Sequence, residues 1–213
     1  MHYCMALAHL GTKISFDEAI RYLELVQKAP DGARLRPEGA LAEATCGLAS
    51  QRLDQGKPSD AHKLALSAIK LAPTLAKAYK VLGFSCRHLG LHEEALKSFQ
   101  KATILFPQDP EGWANLALVQ SHTGRNSEAV ASFQEAIRLH PSYIGAYQAL
   151  GKHYQAIQRI PEAIETFETA LKLDSKNVDL RTGIMLAIAD ACAWQKKEKF
   201  LPDVLRDLEA QVS

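Results

Sequence analysis

The chain has 213 residues, 47% hydrophobic and 23% charged, with 25 Lys and Arg against 24 Asp and Glu for a formal net charge of +1. That composition belongs to an ordinary folded protein, and the balanced charge excludes the basic excess of a dedicated nucleic-acid binder and the acid block of a solvating tail. A chain of this length buries about 70% of its unfolded surface, so it needs neither disulfide nor metal to stay folded. The four cysteines, Cys4, Cys46, Cys86 and Cys192, stand 42, 40 and 106 residues apart with no CxxC pair. They read as reduced thiols packed as small hydrophobes, not as a disulfide framework or a zinc site. No apolar run reaches the ~18 residues of a membrane span. The N-terminus lacks the pattern of a signal peptide, and no N-glycosylation sequon occurs. A cytoplasmic protein is the resulting expectation.

In chain order, Tyr3, Cys4, Leu7 and Gly11 fit the second half of a helix, and Ala19, Leu23 and Val26 a second helix. A Pro/Gly/Arg loop, Pro30–Gly39, follows. Residues 1–41 thus read as a truncated or degenerate helical unit, either a fragment of a longer protein or a divergent cap. From there the chain repeats. Tyr79, Leu82, Gly83, Ala95, Phe99, Ala102 and Pro107 recur 34 residues on as Trp113, Leu116, Ala117, Ala129, Phe133, Ala136 and Pro141. They recur again as Tyr147, Leu150, Gly151, Ala163, Phe167 and Ala170. One step back, Leu48, Ala61, Ala68 and Pro73 form a weaker copy without the aromatics.

Within each copy the apolar spacing is helical. Ala95, Leu96, Phe99, Ala102 and Leu105 lie on one stripe. Gly56, Gly90 and Gly124 each follow a helical stretch, as a C-terminal stop does. Pro161 stands in the first turn of a helix, where proline is favoured. Each copy is therefore a pair of antiparallel amphipathic helices. Small residues at 83, 117, 151, 95, 129 and 163 let the helices approach; the aromatics fill the gaps between copies. One hairpin cannot bury both its faces, whereas a stack shares a continuous core. After Asn177, Leu180, Ile184, Ile188 and Ala191 continue a helix. Leu201, Val204, Leu205, Leu208 and Val212 then form one stripe suited to a terminal cap or a partner-binding helix.

These residues resemble the tetratricopeptide repeat (TPR) family, whose W-x2-L-G-x2-Y…A-x3-F…P pattern is met by Tyr79, Leu82, Gly83, Ala95, Phe99 and Pro107. The next copy carries Ala117 for Gly and Gln120 for Tyr. The third has Tyr147, Leu150, Gly151, Tyr154, Ala163 and Phe167, with Ser175 for the closing Pro. The resemblance implies an all-α fold, a right-handed α-solenoid of stacked antiparallel helix pairs. Its units would be a degenerate repeat at 42–75, repeats at 76–109, 110–143 and 144–177, and capping helices over 178–213.

No HExxH, GxSxG or GxGxxG motif occurs, and the near-matches at His92–Leu96 and Gly145–Lys152 lack the second His and the Ser or Thr that the chemistry needs. His88 and His122 hold equivalent places in adjacent repeats. Packed helices lie about 8–10 Å apart, too far for two such side chains to share one ion at about 2.1 Å each. Neither an enzyme nor a cofactor or metal is expected.

The resemblance further implies a groove lined by the first helix of each repeat. Lys77, Lys80, Phe84 and Arg87 share one helical face. Phe84 and Leu118 offer an apolar platform at equivalent positions, Asn115 offers a donor and an acceptor, and Lys152 adds a cation. Together they suggest a peptide or partner protein with an acidic or carboxylate-bearing segment, held by charge-assisted hydrogen bonds. The pattern of carboxylate-clamp members is met only at Lys80 and Asn115. The expected role is a non-catalytic scaffold or adaptor. The alternatives are a regulatory or docking module of a larger enzyme or assembly, and self-association through the end of the stack. Without a long basic stripe interleaved with aromatics, nucleic acid is a disfavoured partner.

Overall fold

The computed structural model describes residues 20–21, 24–25 and 38–192. Apart from 20–21 and 24–25, which are helical, the expected N-terminal helices at Tyr3–Gly11 and Ala19–Val26 lie outside the described residues. So do most of the Pro30–Gly39 loop and the amphipathic stripe from Leu201 to Val212. The chain divides into two compact units, residues 1–125 and 126–213. The described residues are helical with short turns and contain no strand.

The first unit holds α1 (Glu38–Asp54), α2 (Pro58–Leu71), α3 (Ala76–His88), α4 (His92–Leu105) and α5 (Pro110–His122). Connections of a few residues fold each helix back along its predecessor, the geometry of a helical hairpin. Local sequence fixes the ends. Pro58 and Pro110 occupy first turns, where the missing N–H costs nothing. Gly56, Gly90 and Gly124 adopt φ of 69°, 74° and 75°. Beside them, the N–H of Lys57, Leu91 and Arg125 donates to the carbonyls of Arg52, Cys86 and Gln120 at 2.8–2.9 Å. That is the bond of the Schellman stop, which satisfies a carbonyl the helix leaves open. Asp109 caps α5 by accepting from the N–H of Glu111 at 3.1 Å. The Trp113 indole N–H donates to the Pro107 carbonyl at 2.8 Å and ties down the turn before α5.

The core of this unit forms around Phe99, which is wholly buried with Ala78, Ala95 and Cys86. A Cβ added at Gly83 would lie 2.7–2.9 Å from the Phe99 ring. The glycine is what lets α4 seat that ring against α3, as the sequence reading expects of a small residue there.

The second unit holds α6 (Asn126–Leu139), α7 (Ile144–Ala156), α8 (Ile160–Leu173) and a helix α9 over 178–192. Phe133 and Phe167 are the largest of its fully buried side chains among the described residues. Gly151 on α7 and Gly183 on α9 both face the Phe167 ring with no room for a Cβ. Pro161 lies in the first turn of α8. Asn177 caps α9, its Oδ1 accepting from the N–H of Leu180 at 3.2 Å. The stop between α7 and α8 departs from the others. Gln158 stands where the 34-residue period places glycine and adopts φ 62°, with the same Schellman bond from the Arg159 N–H to the Tyr154 carbonyl at 2.8 Å.

Candidate functional site

A cavity of about 670 Å³ opens on the first unit between α1, α3 and the start of α5. Its apolar lining comes from Leu53, Val81, Phe84 and Phe106. Phe84 is half-buried, edge-on to Phe99 at 5.3 Å and 87°. The ring is thus fixed from behind while its outer face meets the cavity. Phe106, the residue after α4, is 54% exposed.

The charged lining is paired within the fold. Lys80 Nζ lies 2.8 Å from Asp109 Oδ2 and 2.5 Å from Glu111 Oε2. Burial by itself would lower the Lys80 pKa, but the hydrogen bonds to Asp109 and Glu111 outweigh it and hold the ammonium above its ordinary value. Asp109 works twice, capping α5 through one oxygen and holding Lys80 through the other. Arg87 donates to Asn115 Oδ1 at 3.2 Å and lies 5.3 Å from the centre of the Phe84 ring, in cation–π range. Burial pushes its guanidinium below its usual pKa. Asn115 is itself buried, and its amide N–H donates to the Glu111 carbonyl at 2.8 Å.

These contacts revise two sequence expectations. Lys80 and Arg87 are not free cations awaiting a ligand, because carboxylates and an amide of α5 already meet them. Asn115 already has its Oδ1 and one amide N–H engaged inside the unit, so it has less of its amide to offer a peptide than the sequence suggests. Lys77 remains as the exposed cation of the expected set in this unit. The lining carries Lys77, Lys80 and Arg87 against Asp54, Asp109 and Glu111, a formal balance of zero with His88 neutral.

Lys77, Lys80, Phe84 and Arg87 are therefore brought together on one cavity wall. Leu118 is half-buried on α5 and does not line the cavity, and Lys152 is exposed on α7 in the other unit. Sequence reasoning missed Leu53, Phe106 and Asp109. Asp109 was within reach, because an acidic residue before Pro110 is an N-cap signal. His88 and His122 are both exposed. Cys46 and Cys86 are buried as expected, whereas Cys192 is exposed. Among the described residues no helix is long and apolar enough to cross a membrane.

The fold has many known counterparts. The MamA crystal structure is 29% identical over 78% of this chain and 92% of that one, with a TM-score of 0.63. A thermophilic TPR protein of Thermus thermophilus, TTC0263, is 22% identical over 88% and 97%, with a TM-score of 0.61. YrrB, described as a TPR protein with an unusual peptide-binding site, is 17% identical over 85% and 89%, with a TM-score of 0.67. No curated protein sequence matches significantly. Residues 3–205 match the profile described as the Cilia and flagella-associated protein 70 C-terminal domain. The match spans nearly the whole sequence, and with the 34-residue arithmetic and the helix pairs it makes this chain a TPR protein belonging to the family of that C-terminal domain.

Proposed function

We propose that the chain is a non-catalytic scaffold that binds a segment of a partner protein in the α1–α3–α5 cavity of its first unit. The observation that carries this reading is the lining itself, an apolar wall of Val81, Phe84 and Phe106 ringed by fixed charges of both signs. Pockets of ~300–1,000 Å³ with an apolar floor and a few placed polar groups are the usual form of a recognition site. Lys77, Lys80, Phe84 and Arg87 form the contact wall, with Asn115 behind Arg87. An apolar anchor side chain flanked by charges of both signs suits this lining better than a purely acidic segment, because two carboxylates already meet Lys80 and the lining is balanced in charge. Peptide binding by YrrB, a protein of the same fold, supports the class of ligand. The family's description, the C-terminal domain of a cilia and flagella-associated protein, favours a partner within cilia or flagella.

Affinity capture from ciliated cells tests the reading. The baits are wild type, Lys77→Glu and Phe106→Asp, two positions exposed enough to change without disturbing the core. A protein held by wild type and lost from both variants supports the cavity. A partner held equally by all three refutes the assignment.

A further inference from the structure

Behind the cavity, three helices of the first unit bring together one imidazole, one thiol and one carboxylate. His62 on α2, Cys86 on α3 and Glu94 on α4 each offer a ligand atom, and these atoms lie within 4.8 Å of one another. His62 Nε2 is 3.6 Å from Glu94 Oε2, and Cys86 Sγ is 3.8 Å from the same oxygen. A tetrahedral zinc ion with bonds of about 2.0–2.3 Å separates its ligand atoms by about 3.4–3.6 Å. The observed spacing therefore needs adjustments of a few tenths of an ångström along two edges and a closing of at most about 1.4 Å along the third.

A second observation points the same way. His62 Nε2 is buried and has no hydrogen-bond partner, a costly condition for a polar atom. At 3.6 Å the Glu94 oxygen is too distant to relieve it. The three side chains also depart from the repeat. At the corresponding positions of the next repeat stand Leu96, Gln120 and Glu128, and of the one after, Val130, Tyr154 and Glu162. The acid recurs, whereas the imidazole and thiol coincide at one junction, where the repeat pattern elsewhere supplies an apolar and a larger side chain.

We propose that His62, Cys86 and Glu94 bind a divalent zinc ion, with water completing the four-coordinate site. Imidazole, thiolate and carboxylate are the ligand set that zinc accepts, and the thiolate disfavours magnesium and calcium. Burial, then the neighbouring Glu94 charge, pushes the Cys86 thiol up to about 11. Coordination must therefore break the S–H bond, form the metal–sulfur bond and release the proton to water. Glu94 is 60% exposed, which leaves an entry path from solvent. A bound ion would tie α2, α3 and α4 together on a face of α3 distinct from the one that lines the cavity. This site departs from the sequence expectation of no metal, which had considered histidines paired by the repeat period and not groups converging from three helices.

The test uses the full chain, stripped with chelator and titrated with Zn²⁺ by calorimetry and with Co²⁺ by absorbance. One equivalent should bind, with the visible bands of tetrahedral cobalt and a near-ultraviolet thiolate charge-transfer band. Cys86→Ser should abolish the thiolate band, and His62→Gln and Glu94→Gln should each weaken zinc by roughly tenfold or more. Absence of the thiolate band, its persistence in Cys86→Ser, or unchanged zinc affinity in Glu94→Gln overturns the proposal. If circular dichroism shows that Cys86→Ser fails to fold, Glu94→Gln decides alone, because that carboxylate is exposed.

Discussion

Replacing Gly151 by alanine should destabilise the protein although alanine is the better helix former. An ideal Cβ at Gly151 falls 2.5, 2.6 and 2.8 Å from three ring carbons of Phe167. Comfortable carbon contacts are about 3.5–4.0 Å, so α7 and the ring would have to separate by about 1 Å. The ring has little room to yield. It is 1% exposed, and Gly183 on α9 also approaches it, at 2.9 Å for an added Cβ. Overpacking of this kind costs about 1–3 kcal/mol, offset by up to about 1 kcal/mol of helix propensity. A net loss of up to about 2 kcal/mol remains, or up to roughly 8 °C in Tm at this chain length. Urea titration followed by far-UV circular dichroism measures it. Gly39→Ala is the control: it is helical with open space around its Cβ, so it should be neutral or stabilising by up to about 1 kcal/mol. Phe167→Leu in the Gly151→Ala background should recover part of the loss, with a coupling of about 0.5 kcal/mol or more. A Gly151→Ala midpoint at or above wild type, or strict additivity with Phe167→Leu, refutes the close-approach reasoning.

Gln158→Gly should stabilise the protein by about 0.5–1 kcal/mol, because it relieves a left-handed residue where the other stops use glycine; a lower urea midpoint would contradict this. Stability should also fall between pH 9 and 11. Burial, the largest cause in each case, raises the Cys46 and Cys86 thiols from 9.0 to about 11. Over that interval the unfolded thiols lose protons that the folded ones keep, so the stabilisation is complete below pH 9 and lost as pH rises. Cys46 contributes up to about 2–3 kcal/mol, and Cys46→Ala should remove that share of the slope in chelator-treated protein. An alkaline limb equally steep in Cys46→Ala would refute the assignment.

The architecture was readable because each repeat states its packing twice. Gly83 with Phe99 and Gly151 with Phe167 are small–large pairs at a fixed separation, and the stops at Gly56, Gly90 and Gly124 mark the same turn. Spacing along one helix put Lys77, Lys80, Phe84 and Arg87 on one face, and all four line the cavity. It could not show what that wall meets. Lys80 pairs with groups 29 and 31 residues away, and Arg87 with one 28 away. Such partners depend on the stagger between α3 and α5, not on any periodicity within α3. The His62–Cys86–Glu94 grouping was hidden for the same reason. Its spacings of 24 and 8 match no linear motif, and proximity arises from three helices packing.

The hydrogen bond from the Trp113 indole to the Pro107 carbonyl has an optical consequence. The chain contains two tryptophans, and Trp113 is half-buried on α5, two residues beyond Glu111 and within the same turn that presents Asp109. In a Trp194→Phe background all indole emission arises from this one position. Its wavelength then reports whether the Pro107 carbonyl still holds the ring or water has replaced it. A ligand that displaces Lys80 from Asp109 would register as a spectral shift, and one that settles on the apolar wall without disturbing the turn would leave the emission unchanged.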